Sequence, residues 1–231
     1  MSAYVQIRAR GADALPFLQG QLTNDLALLG DDGVQLSAWC NPKGRVIAFL
    51  RVSRAGEDLR LALPAALGDA VVAGLLRYRF RAKVEFVLEV VENAALGLPD
   101  DADGASEDWL HRNLLGGIPD IGPGQSEAFT PHMLNLDRLD AISLDKGCYT
   151  GQEIVARTHF RGATKRRMLR FRSDAPVAAG DAVTQGDRKI GDVVNAIGPD
   201  LLAVVPIDGA DDVLSVGDAT LTRASLPYSL E

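Results

Sequence analysis

The residue pattern changes near position 166, and this change constrains the fold more than any other feature of the chain. After Arg166 the apolar and polar residues alternate in short runs that glycine, proline and aspartate separate. Closely spaced alternating strands of this kind are typical of a small barrel. The runs lie at 167–173, 181–185, 189–197, 201–207 and 218–224. We therefore predict a small C-terminal β-barrel over residues 166–231, preceded by an α+β domain over residues 1–165.

Helical and β-rich segments are mixed in the first part of the chain. Apolar residues recur at helical spacing over 11–28, which predicts a helix that ends near Gly30. Two β-rich runs at 34–40 and 45–53 are joined by an Asn-Pro-Lys-Gly turn, which predicts a hairpin. Further elements are predicted as strands at 57–64 and 84–91 and a helix at 65–79.

The composition shifts between residues 92 and 127. This segment holds six glycines, three prolines, eight acidic residues and one arginine. Such a composition is typical of a loop-rich connector, with one short helix predicted at 106–115.

The small number of cysteines and the lack of long apolar runs indicate the cellular setting. Cys40 and Cys148 are the only cysteines, too few for a disulfide framework, so we expect a reducing cytoplasm. No apolar run approaches the roughly 20 residues that span a bilayer, and no secretory signal is recognisable, so we expect no membrane association.

The three histidines, His111, His132 and His159, show no zinc-ligand spacing, and we expect no metal held by this chain alone. An acidic chain without heptads also favours a monomer.

Positive charge is concentrated in one window. Between Lys146 and Arg172 the net charge is +7, whereas the whole chain carries −7. A concentrated basic strip can hold a particular anion, and Arg161 is our candidate for a residue that binds it. Direct tRNA binding stays an open alternative, although no motif in the sequence supports it.

The segment Lys-Gly-Cys-Tyr-Thr-Gly-Gln-Glu at 146–153 combines helix-start signals with a thiol. Thr150 and Glu153 have capping-box spacing, and Tyr149 with Ile154 has the spacing of a hydrophobic staple. On this interpretation Cys148 lies two residues before a helix N-cap and close to Lys146. Both features favour a thiolate.

A purely structural interpretation explains part of this segment. Helix capping accounts for Thr150, Tyr149 and Glu153 without any function, and cysteine is often only a small buried apolar residue. The nearby lysine and two flanking glycines favour a functional Cys148, whereas Cys40 ends an apolar strand and is expected to be structural. Gly147 and Gly151 can admit a ligand or form tight turns. Capping explains Gln152 least, since its amide can face a polar partner.

Several segments together resemble the YgfZ family of folate-binding proteins, which are related to the T-protein (aminomethyltransferase) of the glycine cleavage system. The resemblance rests on KGCYTGQE with its flanks, and on FLQGQLTNDL at 17–26, CNPKGRVIAFL at 40–50 and LLRYRFRAKVE at 75–85. These segments occur in the family's order and cover most of the chain up to about residue 170. T-proteins have a segment resembling K-x-D-F-I-G-x-E, so Cys148 stands where they have an acid. The connector at 92–127 is short compared with fuller family members, which implies a reduced folate pocket.

The resemblance implies both fold and function. It implies a T-protein-like folate-binding core of mixed or antiparallel sheets and helices, followed by the small barrel. It also implies binding of tetrahydrofolate or a derivative and a link to assembly or repair of iron–sulfur clusters in partner proteins, including enzymes that modify tRNA. Cys148 and Lys146 would then act in catalysis. The ligand-binding residues would be Tyr149, Gly151, Gln152, Glu153 and Arg161.

Three functions stay open at this point. The first is an iron–sulfur accessory protein that presents Cys148 to a one-carbon group, a sulfur species or a partner thiol. The second is a folate-dependent aminomethyl- or methyltransferase, which needs an acid or base beside the reactive carbon. The third is a non-catalytic folate-binding module in which the cysteine is only structural.

Overall fold

A computed structural model describes residues 4–162, 164–208 and 213–230. The first part contains a five-stranded antiparallel sheet in the order β2-β3-β4-β1-β5. Its β2–β3 hairpin closes through the predicted turn, in which the Gly44 N–H donates to the Asn41 carbonyl at 2.9 Å. The strands are β1 (Tyr4–Arg10), β2 (Val34–Cys40), β3 (Val46–Ala55), β4 (Asp58–Pro64) and β5 (Glu85–Val90).

Five helices accompany the sheet in the described part of the chain. The longest of them, α2, packs against the sheet through Leu67, Val71 and Leu75, which are almost fully buried. The helices are α1 (Ala14–Gln19), α2 (Ala65–Arg79), α3 (Asn93–Leu96), α4 (Glu107–Leu115) and α5 (Gln152–Arg161), with a short 3₁₀ helix at Leu26–Leu28. No helix within the described ranges combines the length and the apolar character needed to cross a membrane.

The C-terminal strands form a closed antiparallel barrel in the order β10-β11-β6-β9-β8-β7. Closure depends on pairing between β10 and β7, where Ser215 lies opposite Thr184. The predicted barrel is confirmed. Its strands are β6 (Arg166–Ser173), β7 (Ala182–Gln185), β8 (Arg188–Ile197), β9 (Asp200–Pro206), β10 (Leu214–Val216) and β11 (Ala219–Ala224).

The two parts share one hydrophobic cluster. Ala38 and Phe49 of the sheet contribute to it together with Met168 and Val204 of the barrel. Phe129 of the intervening loop belongs to the same cluster. Burial of apolar surface therefore joins the barrel to the sheet.

Three sequence-based expectations about the elements were wrong or incomplete. The helix expected over 11–28 ends at Gln19, because the chain turns at Gly20 and Leu22 then forms an isolated β-bridge with Trp39. Strand β1 was not predicted, although Val5, Ile7 and Ala9 alternate with polar residues in its sequence; Gln6 is fully buried, and its amide donates to Glu89 and Glu92. Strand β10 was missed because it has only three residues.

Candidate functional site around Cys148

Cys148 is exposed on the loop that precedes α5, whereas Cys40 is fully buried at the end of β2. Burial raises the pKa of the Cys40 thiol to about 12, which keeps it protonated and unreactive at neutral pH. The two cysteines therefore differ in accessibility: Cys40 is buried and Cys148 is open to solvent.

Lys146 anchors this loop from its N-terminal side. Its Nζ is buried and donates to the carbonyl oxygens of Leu22 at 2.8 Å and Asn24 at 2.7 Å. Burial lowers its pKa to about 8, and the charge of Asp25 partly opposes that shift. These contacts give Lys146 an anchoring role, which differs from the expected role of holding a thiolate at the exposed Cys148.

Tyr149 anchors the loop immediately after the cysteine. Its side chain is only 6% exposed, and the Lys146 Nζ lies 5.3 Å from the ring centroid. The hydroxyl is buried and has no hydrogen-bond partner among the described residues. Burial, and then the nearby Cys40, raise the pKa of Tyr149. A buried donor without a partner is uncommon in folded proteins, and it marks a place where a bound group could supply one.

Gly151 fixes the entry into α5, and the capping box predicted from Thr150 and Glu153 was wrong. Gly151 is the N-cap residue with φ 84°, and no side chain caps the helix. A Cβ on Gly151 would lie 2.5 Å from the carbonyl oxygen of Asn41. The cap is therefore a glycine because the β2–β3 turn packs directly against it.

The other residues expected in a capping motif have different roles. Thr150 Oγ1 contacts Gln21 Oε1 at 3.5 Å, and Glu153 is exposed. Of the two residues in the predicted staple, Tyr149 is buried, whereas Ile154 is 39% exposed and lies against Gly44. Gln152 turns back, and its Oε1 accepts a hydrogen bond from the Tyr149 N–H at 3.3 Å.

The basic window does not form one anion site. Arg161 is exposed and lines an open groove of about 500 Å³ on α5 together with Arg157. Arg167 is buried and forms a bidentate pair with Asp137 at 2.8 and 2.9 Å. Arg161 therefore does not share a site with Arg167, which Asp137 already neutralises.

A separate cavity of about 180 Å³ lies between the sheet, α4 and the barrel. Asp120 Oδ1 accepts a hydrogen bond from the Tyr4 hydroxyl at 2.8 Å. Burial raises the pKa of Asp120, while Tyr4 and Arg51 partly oppose that shift. The polar residues that line the cavity are Tyr4, Arg51, Asn113, Asp120 and Asn195. None of the predicted site residues lines this cavity, and no motif in the sequence pointed to it.

The fold also brings together two histidines that are far apart in the sequence. The His132 and His159 rings are 5.8 Å apart between centroids. Spacing along the chain could not reveal this contact, since His132 belongs to the loop before the cysteine and His159 to α5.

The described strands and helices define a T-protein-like fold with a closed C-terminal barrel. The chain superposes over 98% of its length on 84% of the glycine cleavage system aminomethyltransferase T from Bartonella henselae, with a TM-score of 0.70 and 16% sequence identity. Residues 165–228 match the family model described as the C-terminal beta-barrel domain of CAF17. At such low identity the T-protein likeness defines the fold alone.

Sequence relatives define the family. The chain is 32% identical to the tRNA-modifying protein YgfZ of Enterobacter sp. (strain 638), with 96% of the chain and 90% of the relative covered. It is 31% identical to the protein of that name from Klebsiella pneumoniae (strain 342), with 96% and 89% covered. For that of Escherichia coli O157:H7 the identity is 29%, with 96% and 90% covered. The chain belongs to the YgfZ family.

Proposed function

We propose that this chain binds a reduced folate and, through the thiol of Cys148, supports iron–sulfur enzymes that modify tRNA. The relatives are called tRNA-modifying proteins, and their name supports the direction of this role. The observation that carries the proposal is a solvent-exposed thiol on a loop that is anchored on both sides.

The anchoring holds the thiol in a defined position. Lys146, two residues before the cysteine, is tied to two carbonyl groups, and Tyr149, directly after it, is buried. Gly151 then packs against the β2–β3 turn. Reactive groups held on a rigid support meet their targets in a fixed geometry. This arrangement suits a thiol that engages a partner protein or a ligand in a reducing cytoplasm.

The cavity beside α4 supports folate binding. Its volume of about 180 Å³ is below the roughly 300 Å³ of small drug-sized sites, so a whole folate molecule would not fit inside. The ring system would enter the cavity and the glutamate tail would stay outside. The Asp120 carboxyl could bind the amino edge of a pterin, and Arg51 and Asn113 could bind its carbonyl edge. Tetrahydrofolate, when bound, would supply a carrier for one-carbon groups.

The thiol role is tested by replacing each cysteine in turn. In cells that lack the native gene, Cys148→Ala should abolish support of iron–sulfur enzyme activity, whereas Cys40→Ala should retain it. Circular dichroism and thermal melting of both purified variants verify that they fold. Full activity with Cys148→Ala would refute the thiol role.

The folate role is tested separately by calorimetric titration with tetrahydrofolate. We expect binding by the wild-type chain and by Cys148→Ala, and at least tenfold weaker binding by Asp120→Ala. Asp69→Ala, at an exposed position on α2 outside the cavity, is the matched control. Wild-type chain that does not bind would refute the folate role while leaving the thiol role intact. Turnover of a methylene-folate by the purified chain would instead favour a transferase.

A further inference from the structure

We propose that His132, Asp137 and His159 form a binding site for a divalent first-row transition metal such as Zn²⁺. One ligand atom from each residue lies within 4.8 Å of the others. Two imidazoles and a carboxylate are a donor set that zinc and related metals accept. The site does not depend on the folate or thiol roles.

His132 provides the observation that points to a ligand. Its side chain is 2% exposed, yet neither ring nitrogen has a hydrogen-bond partner among the described residues. A buried imidazole ordinarily pairs at least one nitrogen. Burial lowers the pKa of His132, and although Asp137 opposes that shift, the charges of Arg167 and His159 reinforce it. A neutral imidazole binds a metal ion through a ring nitrogen that has no other partner.

Asp137 is already oriented for this role. Arg167 donates to both of its carboxylate oxygens, at 2.8 and 2.9 Å. A carboxylate has about four lone-pair positions, so each oxygen retains one that could face a cation. Carboxylates that bind metals are commonly held by such outer hydrogen bonds. Arg167 also donates to the His132 carbonyl at 3.2 Å, so one guanidinium fixes the backbone of His132 and the side chain of Asp137.

His159 supplies the adjustable ligand. It is exposed on the last turn of α5, so its side chain can change rotamer. In a tetrahedral zinc site with bonds of about 2.0–2.1 Å, donor atoms are about 3.4 Å apart. The present separations of up to 4.8 Å must therefore shorten, and rotation of an exposed imidazole can provide this. Binding would tie α5 to the loop that carries His132 and Asp137.

The surrounding charges set the expected strength and selectivity. The positive charges of Arg167 and Arg138 lie beside Asp137 and disfavour the binding of a cation there. Arg138 Nε is 3.6 Å from Asp137 Oδ2. We therefore expect affinity in the micromolar range rather than that of a closed structural zinc site. With two of three ligands being imidazoles, Zn²⁺ and Co²⁺ should bind, and Mg²⁺, which requires oxygen ligands, should not.

The test uses the full chain carrying Cys148→Ser, so that the exposed thiol cannot contribute a ligand. Calorimetric titration with Zn²⁺, and visible absorption with Co²⁺, should show one equivalent bound with no response to Mg²⁺. His159→Ala changes an exposed residue and should fold normally, yet it should lower Zn²⁺ affinity at least tenfold. His132→Gln should have an equal or larger effect.

His111 provides the matched control, because it is the third histidine and contacts Asp200 at 3.1 Å, outside the cluster. His111→Gln should bind Zn²⁺ like the parent chain. Absence of a one-to-one Zn²⁺ complex in the parent would overturn the proposal. So would Zn²⁺ affinity that persists in His159→Ala or falls equally in His111→Gln.

Discussion

The ammonium of Lys146 donates a hydrogen bond to the carbonyl oxygen of Leu22, which precedes it by 124 positions in the chain. This bond fastens the cysteine loop to the segment between α1 and the 3₁₀ helix. Burial disfavours the charged ammonium and lowers the pKa of Lys146 to about 8. The loop therefore depends on a titratable group, and its stability should depend on pH.

Stability should rise with pH through Lys146. In the unfolded chain this lysine keeps its proton up to about pH 10.5, whereas in the fold it releases the proton near pH 8. Between these values the unfolded state binds more protons, so the free energy of unfolding should increase by up to about 3 kcal/mol. Lys146→Met should remove this increase. Urea unfolding at pH 7.5 and pH 10 measures it as the difference between wild type and variant.

The control for this experiment is Lys189→Met, since Lys189 is exposed and pairs with Asp192. Its pH dependence should match that of the wild type. Curves for wild type and Lys146→Met that stay parallel across this range would show that the buried ammonium does not govern stability.

The two glycines beside Cys148 should respond differently to alanine. Gly151 has φ 84° and its Cβ would collide with the Asn41 carbonyl, whereas a Cβ on Gly147 would meet nothing within 4 Å. Gly151→Ala should therefore cost about 2 kcal/mol or more, and Gly147→Ala less than about 0.5 kcal/mol. Denaturant midpoints of the two variants decide the matter, and equal losses would contradict the structure.

Local patterns predicted the elements that depend on local chemistry. The Asn-Pro-Lys-Gly turn predicted the β2–β3 hairpin, and the helix predicted over 65–79 coincides with the bounds of α2, Ala65–Arg79. The capping box failed for a reason outside the local sequence. Thr150 would have capped α5, but packing of Asn41 against the loop selects Gly151.

The remaining features of the site depend on long-range contacts. Lys146 looked like a partner for the thiol because it is two residues away, yet its acceptors belong to residues 22 and 24. The cavity beside α4 joins Tyr4, Asp120 and Asn195, and the histidine pair joins a loop to α5. No spacing along the chain encodes such pairs, because only the tertiary fold sets their distances.

The two cysteines should be distinguished by their rate of labelling. In the native chain a thiol reagent should modify one cysteine, the exposed Cys148, and a second should react only after unfolding in urea. Quantifying released thionitrobenzoate, with Cys148→Ser and Cys40→Ala as matched variants, assigns each equivalent. Two fast equivalents in native protein would mean that Cys40 is not sealed in the core.

Removing the Tyr149 hydroxyl should separate stability from binding. The hydroxyl is buried without a partner among the described residues, so Tyr149→Phe removes a desolvated polar group and should leave the free energy of unfolding unchanged or raise it by about 1 kcal/mol. The buried ring stays in place and continues to anchor the loop. Should the hydroxyl pair with a bound ligand or partner group, the same variant would bind that group more weakly. Thermal melting of the ligand-free chains measures the effect on stability. Because Tyr149 does not line the cavity beside α4, tetrahydrofolate should raise the melting temperature of the variant and the wild type equally, and a smaller rise in the variant would place the ligand at Tyr149. Tyr78→Phe, at a 44% exposed position, is the control. A loss of more than about 1 kcal/mol in ligand-free Tyr149→Phe would show that the hydroxyl already has a partner within the fold.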